Sequence, residues 1–258
     1  AAGNDPVCSI PWCDPPPGPG QVIILLNRGD GAFQYNESYS IGDAPWLSAI
    51  GADLNGDGRP DLAGSNGGSV GVLLNRGDGT FEGTPSPPPT AGSLSLVAAD
   101  LSGDGKADLV RVNFASSSVS VLISEGDGTL EEAVGYSVGD GPWWSAVAAD
   151  LDGDGRTDLA GVGAGGVSVL RNQGNGTFPD PVSYPAFGAS LVAADLNGDS
   201  RLDLATSGVG VLMNQGDGTF TVTSSYPLGG GFLGAADLNG DARPDLAVTR
   251  RFDLTVLL

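Results

Sequence analysis

The chain has 258 residues, with 31 acidic and 11 basic side chains, a net charge of −20 and no histidine. The missing imidazole excludes His-based triads, His-assisted base catalysis and the usual His-containing zinc sites. The negative charge argues against nucleic acid or an anionic membrane surface as partner, and no apolar run approaches the roughly 20 residues of a membrane helix. Gly 43 and Pro 18 approach low-complexity levels, yet 40% of residues are hydrophobic, which leaves room for a packed core.

At the N-terminus, Cys8 and Cys13 are spaced to close a small disulfide loop in an oxidising compartment, or are two separate thiols. The chain starts without Met and without an apolar signal segment, as expected of a mature secreted protein. Pro15-Pro-Pro-Gly-Pro-Gly20 reads as an extended linker. Residues 1–20 are therefore expected to form a Cys/Pro-rich arm, and residues 21–258 a repeat domain.

One segment recurs five times: Asp53-Leu-Asn-Gly-Asp-Gly-Arg-Pro-Asp61 and its counterparts starting at Asp100, Asp150, Asp195 and Asp237, at spacings of 47, 50, 45 and 42 residues. A second segment also recurs five times, beginning at Asn27, Asn75, Ser124, Asn172 and Asn214, with the form Asn-x-Gly-Asp-Gly-Thr-Phe. A period of roughly 40 to 50 residues suits a propeller blade or a helical-pair repeat. Strand chemistry decides between them. Val22–Leu26, Val70–Leu74 and Val119–Ile123 are short, partly β-branched runs bounded by turn residues, so they read as strands. The Gly-Asp-Gly tips supply the positive φ angles of tight hairpins.

Each repeat resolves into four strands: a small apolar strand before the Asp-rich segment (Ser95–Ala99, Ser190–Ala194), a second from the segment's last Asp, the Val/Leu run, and a fourth from the Phe after Gly-Asp-Gly. The expected fold is all-β: a β-propeller of four-stranded antiparallel blades, about five of them visible. Ala52, Ala99, Ala149, Ala194 and Ala236 are small where inner strands converge, and the third strands are apolar on both faces because neighbouring blades cover both.

The Asp-rich segment places oxygen side chains at positions 1, 3, 5 and 9, the donor type that calcium takes in sets of 6 to 8. The candidate ligands are Asp53, Asn55, Asp57 and Asp61; Asp100, Ser102, Asp104 and Asp108; Asp150, Asp152, Asp154 and Asp158; Asp195, Asn197, Asp199 and Asp203; Asp237, Asn239, Asp241 and Asp245. Position 7 (Arg59, Lys106, Arg156, Arg201, Arg243) is expected to offer its backbone carbonyl with the cationic side chain pointing away. An EF-hand needs Glu at position 12, where this chain has Gly64, Arg111, Gly161, Thr206 and Val248. The remaining alternative, a metal-free Asx-rich turn, leaves three or four carboxylates repelling one another within nine residues. Ser200 and Ala242 replace Gly at position 6. If that position needs φ > 0, each costs on the order of 1 kcal/mol, and these two loops are expected to bind more weakly. About five calcium ions are expected, in a structural role.

The motifs D-L-N-G-D-G-x-x-D-L and N-x-G-D-G-T-F resemble the FG-GAP/VCBS repeat of integrin-α-like β-propellers, over Gln21 to Leu258. The resemblance implies calcium in the Asp loops named above. It also implies extracellular binding and adhesion, with sugars as one recurrent ligand class. Many of these propellers have seven blades, whereas five first strands are visible here. The chain begins and ends on a third strand, so a ring of five leaves one over. That strand is displaced, or belongs to a longer chain, or pairs with another molecule; an unsatisfied apolar terminal strand such as Leu254–Leu258 is a ready site for strand addition and self-association.

Trp46, Trp143, Trp144 and Phe232 precede first strands and are candidates to stack on sugar faces; the alternative is packing between blades. Arg28-Gly-Asp30 and Arg76-Gly-Asp78 fall within hairpin turns and read as turn residues. Asn36 and Asn175 begin N-glycosylation sequons, meaningful only where the source has that pathway. The five Glu residues (Glu37, Glu82, Glu125, Glu131, Glu132) lie near outer strands or turns, and no carboxylate pair stands apart from the Asp loops, so no enzyme is expected. The sequence points to a secreted, extracellular or cell-surface, calcium-stabilised module for carbohydrate or another extracellular protein surface. The alternative is a structural subunit joined through the terminal strand and Pro-rich arm.

Overall fold

The computed structural model describes residues 21–40, 46–65, 69–84, 93–208, 210–225, 231–249 and 254–257. Cys8, Cys13 and the Pro-rich arm lie outside the described residues. A hairpin, β1 (Gln21–Asn27) with β2 (Phe33–Ser40), comes first. Four four-stranded sheets follow. Blade one is β3 (Ser48–Ala52), β4 (Asp61–Ser65), β5 (Val70–Asn75) and β6 (Phe81–Gly83). Blade two is β7 (Ser93–Ala99), β8 (Asp108–Asn113), β9 (Ser118–Leu122) and β10 (Val134–Ser137). Blade three is β11 (Trp143–Ala149), β12 (Asp158–Gly163), β13 (Gly166–Leu170) and β14 (Val182–Tyr184). Blade four is β15 (Leu191–Ala194), β16 (Asp203–Thr206), β17 (Gly210–Asn214) and β18 (Phe220–Ser225). A three-stranded sheet, β19 (Leu233–Ala236), β20 (Asp245–Thr249) and β21 (Leu254–Leu257), completes the series.

Every sheet is antiparallel in chain order, as propeller-like blades are. The first strands pack in a row: β3 beside β7, then β11, β15 and β19. The core lies between blades. Val110, Val112, Val119 and Val121 of blade two pack with Trp143, Leu159 and Leu170 of blade three. Strands β8, β12 and β13 are buried at every residue, because another blade covers each face.

The hairpin aromatics make the next inter-blade joint. Tyr39, Tyr136 and Tyr184, on fourth strands or β2, meet Phe81, Phe178 and Phe220 of the following hairpin edge to face, with centroids 5.3–5.8 Å apart. The expected start of the fourth strand holds for β6 and β18 but not for blades two and three. There the ladder begins four residues after Leu130 and Phe178. In blade three Pro179 and Pro181 have no N–H to give the ladder. In blade two one bridge, Ser124 with Leu130, precedes the strand.

This connectivity gives the row two ends. First strands run into the Asp segments and third strands into the Gly-Asp-Gly hairpins, so both motifs share one end, the loop end. The turns between second and third strands, and the connections into each first strand, lie at the opposite turn end.

Candidate functional site

Each Asp segment is a hydrogen-bonded loop built on its first carboxylate. Asp53 accepts the N–H groups of Gly56 (2.7 Å), Asp57 (3.2 Å) and Gly58 (2.8 Å), and Asp195 and Asp237 do the same in their loops. Burial opposes ionisation of Asp53, but the Gly58, Gly56 and Asp57 donors hold its carboxyl below the ordinary value. Positions 4 and 6 are left-handed throughout: Gly56 has φ 78° and Gly58 φ 80°. Ser200 (φ 67°) and Ala242 (φ 66°) adopt the same conformation despite their Cβ atoms. The condition on which weaker loops four and five were expected is thus met.

The last Asp of each loop does a different job. Asp61, Asp108, Asp158 and Asp203 are fully buried. One oxygen of Asp158 accepts the Leu151 N–H (3.0 Å) and the other the Asn172 N–H (2.7 Å), tying the loop to the hairpin of its own blade. Burial raises the carboxyls of Asp61, Asp108 and Asp203. Asp158 is pushed up to about 6 by burial, with the Asp152 and Asp154 charges adding to the effect. In loop three, oxygens of Asp150, Asp152 and Asp158 lie within 4.8 Å of one another. In loop two the Ser102 Oγ is shielded from water and makes no hydrogen bond of normal geometry, though it lies near enough to Asp104 to help hold that carboxyl down.

Four of the five position-7 side chains do not point away. Arg59, Lys106 and Arg201 fold back onto the position-5 carboxylates Asp57, Asp104 and Asp199, and Arg156 reaches Asp154 at 3.2 Å. The nearest anion is two residues back, and the side-chain stem has a seat. The stems of Arg59, Lys106, Arg156 and Arg201 lie across Gly77, Gly126, Gly174 and Gly216, where a Cβ would meet them at 2.5–3.2 Å. The first glycine of each hairpin thus leaves room for the stem, while its own φ of 83–92° is what requires glycine there.

The hairpin's first residue staples neighbouring blades. Asn172 donates to the Leu101 carbonyl of the preceding loop (2.7 Å) and Asn214 to that of Leu151 (2.9 Å), while the Ser124 hydroxyl donates to Leu54. These position-2 leucines sit beneath the next blade. Leu54, Leu101 and Leu151 are 0–1% exposed, whereas Leu238, in the last described loop, is 53% exposed.

The four aromatic candidates divide. Trp143 is corrected: it is 2% exposed, stacked on Gly161, with its Nε1–H donated to Ser168 (2.8 Å). Such a ring is core and offers no face to a ligand. Trp46 is half-buried over Gly64 and Gly71 in the equivalent place. Trp144 is 45% and Phe232 80% exposed. Sequence reasoning missed three companions, Leu47, Phe114 and Phe187, which are also exposed. All five lie at the turn end, one to each blade or its entry. The signal of Phe114 and Phe187 was positional: each falls in a connection between small or polar residues. Among the described residues of those connections, Asp140 is the single charged side chain.

The sequons also divide. Asn175 is exposed on a hairpin tip. Asn36 is half-buried in the β2 bulge, and its amide nitrogen donates to the Gly79 carbonyl (2.6 Å), so the atom a glycan needs already staples β2 to the next hairpin.

The model of the FG-GAP-like repeat matches residues 9–63, 53–111, 109–161 and 150–206. No curated protein sequence matches the chain. Among solved structures, the chain resembles an Agrocybe aegerita lectin described by its specific recognition of non-reducing terminal N-acetylglucosamine. The TM-score is 0.62 at 25% identity, over 90% of this chain and 69% of the lectin. The V. cholerae biofilm matrix protein Bap1 matches with TM-score 0.51 and 19% identity, over 93% of this chain and 37% of that one. The exotype rhamnogalacturonan lyase YesX matches with TM-score 0.56 and 18% identity, over 90% of this chain and 54% of the lyase. The latter two likenesses concern the fold alone. With its repeats matched over most of its length, the chain belongs to the FG-GAP-like repeat family.

Proposed function

We propose that this chain is a calcium-stabilised, non-catalytic binding module of an extracellular surface that takes uncharged carbohydrate at its turn end. The observation that carries the reading is the separation of the two ends. Carboxylates crowd the loop end, while the described residues of the turn end present five exposed apolar side chains among Ser, Gly and Ala, with Asp140 as the one carboxylate of their connections. Isolated rings beside hydroxyl and amide groups suit a sugar, which has an apolar C–H face and a rim of hydroxyls. The similarity to a lectin supports the same reading.

The loop residues fit calcium. Their donors are hard oxygens, the acidic oxygens of loop three already converge, and the shielded Ser102 Oγ of loop two lies beside Asp104. Asp53, Asn55, Asp57 and Asp61 and their counterparts would hold the ion, together with the position-7 carbonyls. Each carboxylate oxygen that accepts one N–H keeps a lone pair for a cation. Bound calcium would offset the cost of the buried last Asp and stiffen the link between loop and hairpin. A catalytic role is disfavoured because the carboxylates are engaged within their own loops.

A glycan array probed in calcium tests the reading, with Trp144→Ala and Phe187→Ala as companions. Binding to neutral glycans that falls in both variants supports it. Failure across a broad panel by a folded protein would overturn it. A second reading, a structural subunit joined end to end, is favoured by the exposure of Leu238 and Val256 on the last sheet. Light scattering of the protein in calcium separates the two, since large particles belong to the second.

A further inference from the structure

Loops one, four and five carry an Asn-Gly pair at positions 3 and 4: Asn55-Gly56, Asn197-Gly198 and Asn239-Gly240. The hydrogen bonds around the three pairs are the same. The glycine N–H is donated to the loop's first carboxylate, at 2.7 Å to Asp53, 2.7 Å to Asp195 and 2.6 Å to Asp237. The asparagine carbonyl oxygen accepts the N–H two residues on, at 3.0 Å from Asp57, 2.9 Å from Asp199 and 2.8 Å from Asp241. The side-chain NH₂ is donated to that same residue's carboxylate at 3.0–3.3 Å. The nitrogen able to attack the side-chain carbonyl thus has its proton held by a carboxylate. The oxygen that would gather charge faces an N–H donor, as in acyl transfer.

We propose that Asn55, Asn197 and Asn239 are self-modification sites that convert to aspartyl and isoaspartyl residues through a cyclic imide. The glycine nitrogen attacks Cγ of the preceding asparagine and gives up its proton toward the first Asp. The Cγ–NH₂ bond breaks, and ammonia leaves carrying that proton. The five-membered imide is then opened by water at one of its two carbonyls, giving Asp or isoaspartate. No electrons are exchanged. The Asp product is tolerated at this position, because loop three carries Asp152 there with the same fold. Conversion adds a negative charge to a loop, and the isoaspartyl product adds a backbone carbon within it.

An internal comparison exists. Asn175-Gly176, on an exposed hairpin tip, has its glycine N–H donated at 2.8 Å to the neutral carbonyl of Leu101. Asn197 and Asn239 are exposed like Asn175, and Gly176 is buried where Gly56, Gly198 and Gly240 are exposed, so the Asp53→Asn variant, and not the order of conversion alone, isolates the carboxylate.

The test is time-resolved peptide mapping by mass spectrometry of the whole protein at neutral pH, with calcium chelated throughout, reading the gain of about one mass unit and isoaspartate at each asparagine. Asn55, Asn197 and Asn239 are expected to convert before Asn175. Asp53→Asn should slow Asn55 about tenfold relative to Asn197 and Asn239, below what a positioned base contributes in a built active site. Those two asparagines report whether the variant keeps its fold. Conversion of Asn175 at an equal or higher rate would overturn the proposal. So would an Asn55 rate in Asp53→Asn that is unchanged or raised relative to Asn197, the latter being what simple loosening of the loop would give.

Discussion

Trp143 lies flat on Gly161, and a Cβ built on that glycine would fall inside the indole. Blade one repeats the relationship with Trp46 and Gly64. In blade two the place of Gly161 is taken by Arg111, which is buried and donates its Nε–H to Asn113 (3.2 Å). Trp143 and Gly161 share one volume between β11 and the strand beside it. Gly161→Ala is therefore expected to cost about 2–3 kcal/mol through overpacking. The urea midpoint would fall with an unchanged slope. A loss under about 0.5 kcal/mol would show that the indole does not rest there.

Ser200 and Ala242 hold left-handed backbone that glycine holds in the other three loops. Ser200→Gly and Ala242→Gly should each stabilise the protein by about 1 kcal/mol, because the Cβ strain disappears. Both variants should also bind calcium more tightly by calorimetric titration. A destabilised Ser200→Gly would mean that the hydroxyl contributes more than the strain costs.

Asn172 is buried, and its amide bridges the Leu101 and Thr157 carbonyls while its oxygen accepts the Gly174 N–H. Asn172→Ala removes these three hydrogen bonds, leaves the Leu101 carbonyl with the Gly176 N–H alone and the part-buried Thr157 carbonyl without its amide partner, and should cost about 1–2 kcal/mol. Denaturant unfolding would record it. An equal substitution at Asn27, whose hairpin has no described blade before it, should cost far less.

Asp158 has its carboxyl raised from 3.8 to about 6, chiefly by burial. A raised carboxyl binds its proton more tightly in the folded state than in the unfolded one. Its favourable contribution is therefore present below the unfolded value and lost as pH rises from 3.8 through about 6. At about 1.4 kcal/mol per unit the loss approaches roughly 3 kcal/mol for this group. Asp61, Asp108 and Asp203 shift in the same direction. Chelated protein should lose stability between pH 4 and 6, and calcium should flatten that slope. A melting temperature that rises over this window in chelator would contradict the assignment.

The sequence by itself determined the repeat, the strand order within each blade, the Asp loops and the glycine-dependent turns. Those are local matters: spacing, β-branching and left-handed φ are set within about ten residues of chain. Only the tertiary structure decided what each repeated side chain does. Asp158 and Asp61 read as ligands like the others, yet burial makes them the bond between loop and hairpin. Arg59 was expected to point outward, yet a bare glycine of the same blade's hairpin gives its stem a place to lie. Trp143 and Trp144 are adjacent and chemically alike, yet Trp143 pairs with Gly163 and enters the core while Trp144, the unpaired residue where the ladder shifts register, is left exposed. Burial is a property of what the neighbouring blade brings, and that neighbour lies some 45 residues away in the chain.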